Sequence, residues 1–190
     1  MASPLLNHGA SGPDSNLMED FMPLGIGGGQ SKQTRTKART GKQQNAIDLL
    51  KSDHQEVTQL FEQFEKASDG SAKKAGIVDK ICKALKVHAE IEEEIFYPAA
   101  RGALEEESEE IMDEAEVEHT SIKQLVEQLE DASPGDELFD AKVKVLCEYV
   151  KHHVKEEEGQ MFPKVKKTDL DLDDLGSELA ARKSELMAQL

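Results

Sequence analysis

The sequence has no tryptophan, only 4% aromatic residues, two cysteines, six prolines and no long apolar run. Each shortage excludes something. A chain poor in strand formers but rich in Glu, Lys, Leu and Ala favours helices, and an all-β fold is excluded. No window approaches the roughly 20 consecutive apolar residues of a membrane span. No charged start is followed by an apolar stretch, so the expectation is a cytoplasmic protein without a membrane partner. Cys82 and Cys147 then read as reduced, buried packing residues rather than a disulfide framework. Positive charge is scarce as well: 23 basic residues against 39 acidic give a net charge of −16. Such a surface repels nucleic acid, and no nucleic-acid partner is expected.

With 190 residues, one domain plus a tail is expected. Residues 1–43 carry Gly25, Gly27, Gly28 and Gly29 and a basic stretch from Lys32 to Arg39, and hold five basic and three acidic residues, leaving −18 on the remainder. A segment with so little apolar surface cannot offset its ordering entropy and reads as a disordered tail. His8 lies in it and is assigned no role.

From Asn45, a reasonable N-cap, apolar positions recur at the three-and-four spacing of a buried helical stripe: Ile47, Leu50, His54, Val57, Phe61, Phe64. A loop at 67–71 separates it from a second stripe, Val78, Ile81, Leu85, His88, Glu92, Ile95, which runs until Pro98 and Gly102. A third runs Met112, Ala115, His119, Ile122, Val126, Leu129. After a turn at 132–136 comes a fourth, Val143, Leu146, Val150, His153, Glu157, Met161, closed by Pro163. A shorter amphipathic segment with Leu172, Leu175, Leu179 and Leu186 ends the chain.

Adding 65 to positions in the first two stripes gives the second two. His54, Gln59, Leu60, Glu62 and Gln63 match His119, Gln124, Leu125, Glu127 and Gln128; Val78, Cys82, His88, Glu92 and Pro98 match Val143, Cys147, His153, Glu157 and Pro163. About 16 of 46 aligned positions are identical, a self-similarity that indicates an internal repeat. Two repeated helical hairpins packed together make an all-α four-helix bundle. The expected organisation is a tail at 1–43, the bundle at 44–165 and a C-terminal helix packed on it at 166–190.

Four of the six histidines fall on these core stripes, where an imidazole needs a partner. His88 and His153 are each followed four residues later by glutamate, Glu92 and Glu157. That spacing advances about 400° and rises about 6 Å, so each pair projects from one helix face. With His54 and His119 from the other helix of each hairpin, the interior collects four imidazoles and two carboxylates, a donor set that calls for metal. Without thiolates it fits iron, manganese or zinc rather than a structural zinc or iron–sulfur site. Two ions suit six ligands best, and on oxidation two irons would leave charge that only a further anion, such as a bridging oxo or hydroxo, can meet.

These residues resemble the hemerythrin-like proteins with the HHE cation-binding domain. The likeness rests on Asp53-His54, the run from His88 to Pro98, Glu118-His119, and His153 to Glu158 with Phe162-Pro163. It implies an antiparallel up-and-down four-helix bundle around a non-haem di-iron centre that binds oxygen, peroxide or nitric oxide. There are departures. Oxygen carriers of the family place a second histidine four residues from the first on the third helix, where this chain has Ala115 and Lys123 around His119. On the last helix they use an aspartate five residues after the histidine; here that spacing gives Glu158, whereas the repeat gives the preferred Glu157. Fewer histidines leave more exchangeable positions, which favours peroxide turnover or one-way oxidation over reversible oxygen carriage. The expected ligands are His54, His88, Glu92, His119, His153 and Glu157, serving an oxidant-handling protein; a peroxide-decomposing or ferrous-oxidising enzyme and a structural helical module are the alternatives.

Other residues carry plainer expectations. Glu93, Glu94, Glu156 and Glu158 read as a solvated acidic face, with Glu158 the alternative ligand. His152, about 100° round the helix from His153, reads as a surface residue. Tyr149, four residues before His153, reads as packing or as a hydroxyl near the metal. Phe61, Phe64, Phe96, Val57 and Ile122 read as core that would also keep water from the site.

Overall fold

The computed structural model describes residues 44–68, 72–104 and 109–190. The expected disordered tail at 1–43 and His8 lie outside them. Among the described residues there is no β-strand. Four long helices, α1 (Ala46–Glu65), α2 (Ala72–Ile91), α4 (Glu109–Glu130) and α5 (Phe139–Glu156), carry the four stripes. Two short helices, α3 (Tyr97–Ala103) and α6 (Phe162–Val165), extend α2 and α5, and α7 (Leu172–Met187) follows. Helix α1 packs on α2, α4 on α5, and α2 on α4, while α7 lies against α1 and α2.

Local chemistry sets the ends. The Asn45 side chain accepts the Asp48 N–H at 3.0 Å and caps α1, and Asp171 does the same for α7 by accepting from Asp173 and Asp174. Gly135 sits at φ 119° in the turn before α5, a conformation that favours glycine.

The prolines do not end their helices as expected. Each is preceded by a π-helical turn, Glu92–Phe96 before Pro98 and Glu157–Met161 before Pro163, and the helix then continues. In each, an N–H bonds five residues back, Tyr97 to Glu92 and Phe162 to Glu157. A proline ring clashes with the carbonyl four residues behind it, and the wide turn relieves that clash. The turn also moves the buried stripe by one residue. Phe96 is fully buried and Ile95 only half-buried, the reverse of a straight helical pattern.

Two apolar clusters lie on either side of a polar layer. One gathers Phe61, Phe64, Ile81, Val126, Phe139 and Leu146; the other Ile47, Leu50, Phe96, Met112, Phe162 and Leu179. Each such side chain, fully buried, stabilises the fold by about 1.5–3 kcal/mol relative to exposure. Cys82 and Cys147 are both buried in the first cluster with free thiols. Leu175 and Leu179 bury α7 in the second. A Cβ on Gly176 would stand 2.5 Å from the Gln44 carbonyl oxygen and 2.6 Å from the Ala46 nitrogen, so only glycine lets α7 approach the start of α1 this closely.

Candidate metal centre

The polar layer between the clusters is made of His54, His88, Glu92, His119, His153 and Glu157, all buried. Helix α1 supplies His54, α4 supplies His119, and α2 and α5 supply His88 and His153 one turn before the π-helical glutamates. All four Nε2 atoms face inward, paired His54 to His88 at 3.0 Å and His119 to His153 at 3.1 Å. Each glutamate lies between histidines of both halves. Glu92 Oε2 is 3.2 Å from His88 Nε2 and 3.4 Å from His119 Nε2; Glu157 Oε2 is 3.2 Å from His54 Nε2 and 3.5 Å from His153 Nε2.

Outward-facing Nδ1 atoms meet a ring of carboxylates. Glu158 reaches His54 at 3.0 Å, Glu93 reaches His119 at 2.9 Å and Glu118 reaches His153 at 2.9 Å, while Asp53 stands 3.6 Å from His88. A carboxylate on Nδ1–H fixes the tautomer that presents a bare Nε2 inward. Lysines brace the ring, Lys51 on Glu158 at 2.8 Å, Lys123 on Glu93 at 2.6 Å and Lys183 on Asp53 at 2.5 Å, and the His152 Nε2 lies 3.2 Å from Glu118.

This ring corrects part of the solvated-face expectation. Glu93 and Glu158 are only about a third exposed and hold imidazoles, because the π-helical turn swings the residue after each buried glutamate toward the opposite hairpin. Glu94 pairs with Arg182, and Glu156 lies 3.7 Å from His152. Glu158 sits on the outer nitrogen of His54, while Glu157 points into the cluster. The side chain of His152 is 62% exposed.

Tyr149 is 47% exposed and packs in no core, so neither role expected for it holds. The tyrosine at the site is Tyr97. Its buried hydroxyl donates to Glu157 Oε1 at 3.0 Å and stands 3.3 Å from His119 Nε2. Straight helical periodicity gives it no place in the stripe; the π-helical turn brings it inward.

Burial and neighbouring charge pull the groups of this layer in opposite directions. Burial pushes the Glu92 carboxyl well above its ordinary range, and the charge of Glu157 adds to this. Burial would also raise Glu157, but the imidazoles of His153 and His54 outweigh it and hold the carboxyl down at about 2. Burial opposes a charge on His54, yet the Glu157 carboxylate 3.2 Å away prevails and lifts it to about 9; His88, with burial dominant, falls to about 4. Both oxygens of Glu92 and Oε2 of Glu157 are buried with no hydrogen-bond partner. An orphaned buried carboxylate is expensive unless it ligates, and four inward nitrogens with two inward carboxylates are hard-to-borderline donors suited to a divalent transition metal. The donor set therefore fits a metal. It divides into two groups that share Glu92: His54, His88, Glu92 and Glu157, and Glu92, His119 and His153.

A cavity of about 170 Å³ opens onto this layer, reaching the four histidines between α1 and α2.

Comparison with known proteins agrees with the geometry. Residues 45–165 match the hemerythrin HHE cation-binding domain. A protein of Nostoc sp. named DNA nickase is 29% identical over 158 residues, covering 82% of this chain but only 44% of that relative. An uncharacterized protein of Mycobacterium tuberculosis is 28% identical over 151 residues, covering 75% of this chain and 87% of its own. The crystal structure of an HHE cation-binding domain-containing protein from Mycobacterium kansasii superposes with a TM-score of 0.67 at 24% identity, over 77% of this chain and 89% of the other, which supports the fold. The pattern of histidines and glutamates, their convergence on one buried layer and the match over 121 of 190 residues place this chain in the hemerythrin HHE cation-binding domain family.

Proposed function

We propose that the protein holds two iron ions through His54, His88, Glu92, His119, His153 and Glu157, and that it binds or processes a small oxidant, oxygen, peroxide or nitric oxide, at them. The observation that carries this reading is the pair of buried glutamates whose unpartnered oxygens face four inward imidazole nitrogens. Bound ferrous ions would supply electrons to the oxidant. The remaining work falls to the chain. Glu92 and Glu157 each face histidines of both halves and would hold the metal with them. Glu93, Glu118 and Glu158 hold imidazoles in the tautomer that ligates. Phe162 lies parallel to the His54 ring at 6.0 Å, and Ile122 is one of the apolar walls of the cavity that reaches the histidines.

Peroxide decomposition is the enzymatic form of this reading, and two observations favour it. Lys123 points away to Glu93 and Ala115 has no donor atom, so six side chains leave coordination positions open. Tyr97, whose hydroxyl burial holds protonated, keeps a proton 3.0 Å from Glu157. Strand cutting, as named for the Nostoc relative, finds no support here: the matched segment is less than half of that protein, and a net charge of −16 repels DNA.

The test is metal per chain after anaerobic ferrous loading and desalting, beside the His88→Ala, His153→Ala double variant. The reading requires about two irons in the parent and fewer than one in the variant. Retention of no iron, zinc or manganese by the parent would leave a purely structural bundle.

A further inference from the structure

The cavity above the imidazole layer has a chemistry of its own. Its walls are Val57, Leu60, Leu85, Ile122 and Val150, all buried and apolar. Its floor is the histidine layer, and its mouth carries Lys80, Lys83 and Lys183 with Glu56 and Met187. Two features need explaining. A cavity of about 170 Å³ is far larger than a diatomic gas or hydrogen peroxide requires, water's share of liquid volume being about 30 Å³. It compares instead with an apolar cavity of about 150 Å³ that stays dry and takes a benzene ring. In addition, three lysines stand at one opening of a protein whose net charge is −16: Lys83 and Lys183 pair with Asp79 and Asp53 and Glu56 also lines the opening, so its charges balance in an otherwise acidic protein, and the exposed Lys80, in no ion pair with a described residue, is left to meet an anion.

We propose that this cavity binds an anionic amphiphile, a carboxylate with an apolar chain of about six to eight carbons, with the chain against the aliphatic walls and the carboxylate at the lysines of the mouth. This deepens the function proposed above by naming what reaches the imidazoles, and binding itself needs no metal. Lys183 already touches the buried Asp53, and Lys83 lies 3.1 Å from the exposed Asp79, so at these two lysines the ligand carboxylate competes with a carboxylate of the chain, while Lys80 is exposed at the rim.

Calorimetric titration of the full-length protein, metal-free and iron-loaded, with acetate, butanoate, hexanoate, octanoate and neutral 1-octanol tests this directly. The expected result is one site per chain and affinity rising roughly fourfold per methylene until the cavity is filled. Octanol should bind at least about tenfold more weakly than octanoate. Lys80→Glu with Lys83→Glu should weaken octanoate at least about tenfold and leave octanol unchanged. Ile122→Trp, which fills the cavity, should remove both; should that variant fail to fold, the lysine pair decides. Octanoate binding no tighter than acetate, or octanoate binding unaffected by the lysine pair, would overturn the proposal. A parent that binds octanoate but no iron would overturn the metal reading alone, and the converse would overturn this one alone.

Discussion

The two halves of the metal centre use matching positions and differ at two. His54, His88, Glu92 and Glu93 stand 65 residues before His119, His153, Glu157 and Glu158, and both imidazole pairs close to within 0.1 Å of each other. The outer carboxylates even exchange: Glu158 serves His54, and Glu93 serves His119. The differences lie around this frame. Glu118 reaches His153 at 2.9 Å, whereas Asp53, one methylene shorter and bonded to Lys183 of α7, stops 3.6 Å from His88. Tyr97 brings a hydroxyl to one half, and its counterpart Phe162 stacks a bare ring on the other. Matched donors around mismatched neighbours teach that the donor set and its surroundings are specified separately.

The largest effect is expected from breaking what the halves share. Replacing Glu92 or Glu157 by Ala removes a carboxylate that faces both halves and should reduce retained metal below one ion per chain by elemental analysis. Next comes the helix that touches one half. Gly176→Ala would force α7 off the backbone of Gln44 and Ala46, destabilising the fold by about 1–3 kcal/mol in urea unfolding. It should also loosen Lys183, and through Asp53 the His88 side, more than the His153 side. A smaller effect should come from the outer carboxylates: Glu118→Ala is expected to weaken metal retention about 10–100-fold against a chelator. Asp53→Ala should cost less, because its contact is already long.

Making the halves alike is subtler. Tyr97→Phe deletes one hydrogen bond to Glu157 and should cost about 0.5–1.5 kcal/mol of stability while slowing reaction with peroxide. Metal content should stay unchanged, which separates a proton-holding role from a ligand role. The smallest effect is expected at Cys82, where burial and then the charges of Glu130 and Asp79 push the thiol up to about 12. It should resist alkylation at pH 8 in the native protein and react only after unfolding.

Much of this was legible in the sequence because helical periodicity is a direct record of burial. The residues singled out at Ile47, Leu50, His54, Val57, Phe61 and Phe64 are all buried on α1, and the i, i+4 spacing brings Glu92 and Glu157 to the layer of His88 and His153. What stayed hidden depends on departures from that period. Two π-helical turns move Phe96, Tyr97, Glu93 and Glu158 out of the places a straight helix assigns, so the second-layer carboxylates read as solvated and Tyr149 stood in for Tyr97. The prolines Pro98 and Pro163, each two residues after the end of a π-helical turn, were the available sign that the helix had to widen there. Lys74 shows a second limit. It is buried beside Asp140 and lies 4.6 Å from the Phe64 ring, a pairing between residues 66 apart that no local pattern announces. Gly176 shows a third, since a backbone approach between α7 and α1 leaves no trace in hydrophobic spacing.

The most direct test of the account is anomalous diffraction at the iron edge from crystals of the iron-loaded protein. The account predicts two peaks, about 3.5–4 Å apart, one beside His54 and His88 and one beside His119 and His153, with Glu92 and Glu157 between them. A single peak, or iron found only at the partly exposed group Glu118, His152 and Glu156, would contradict it.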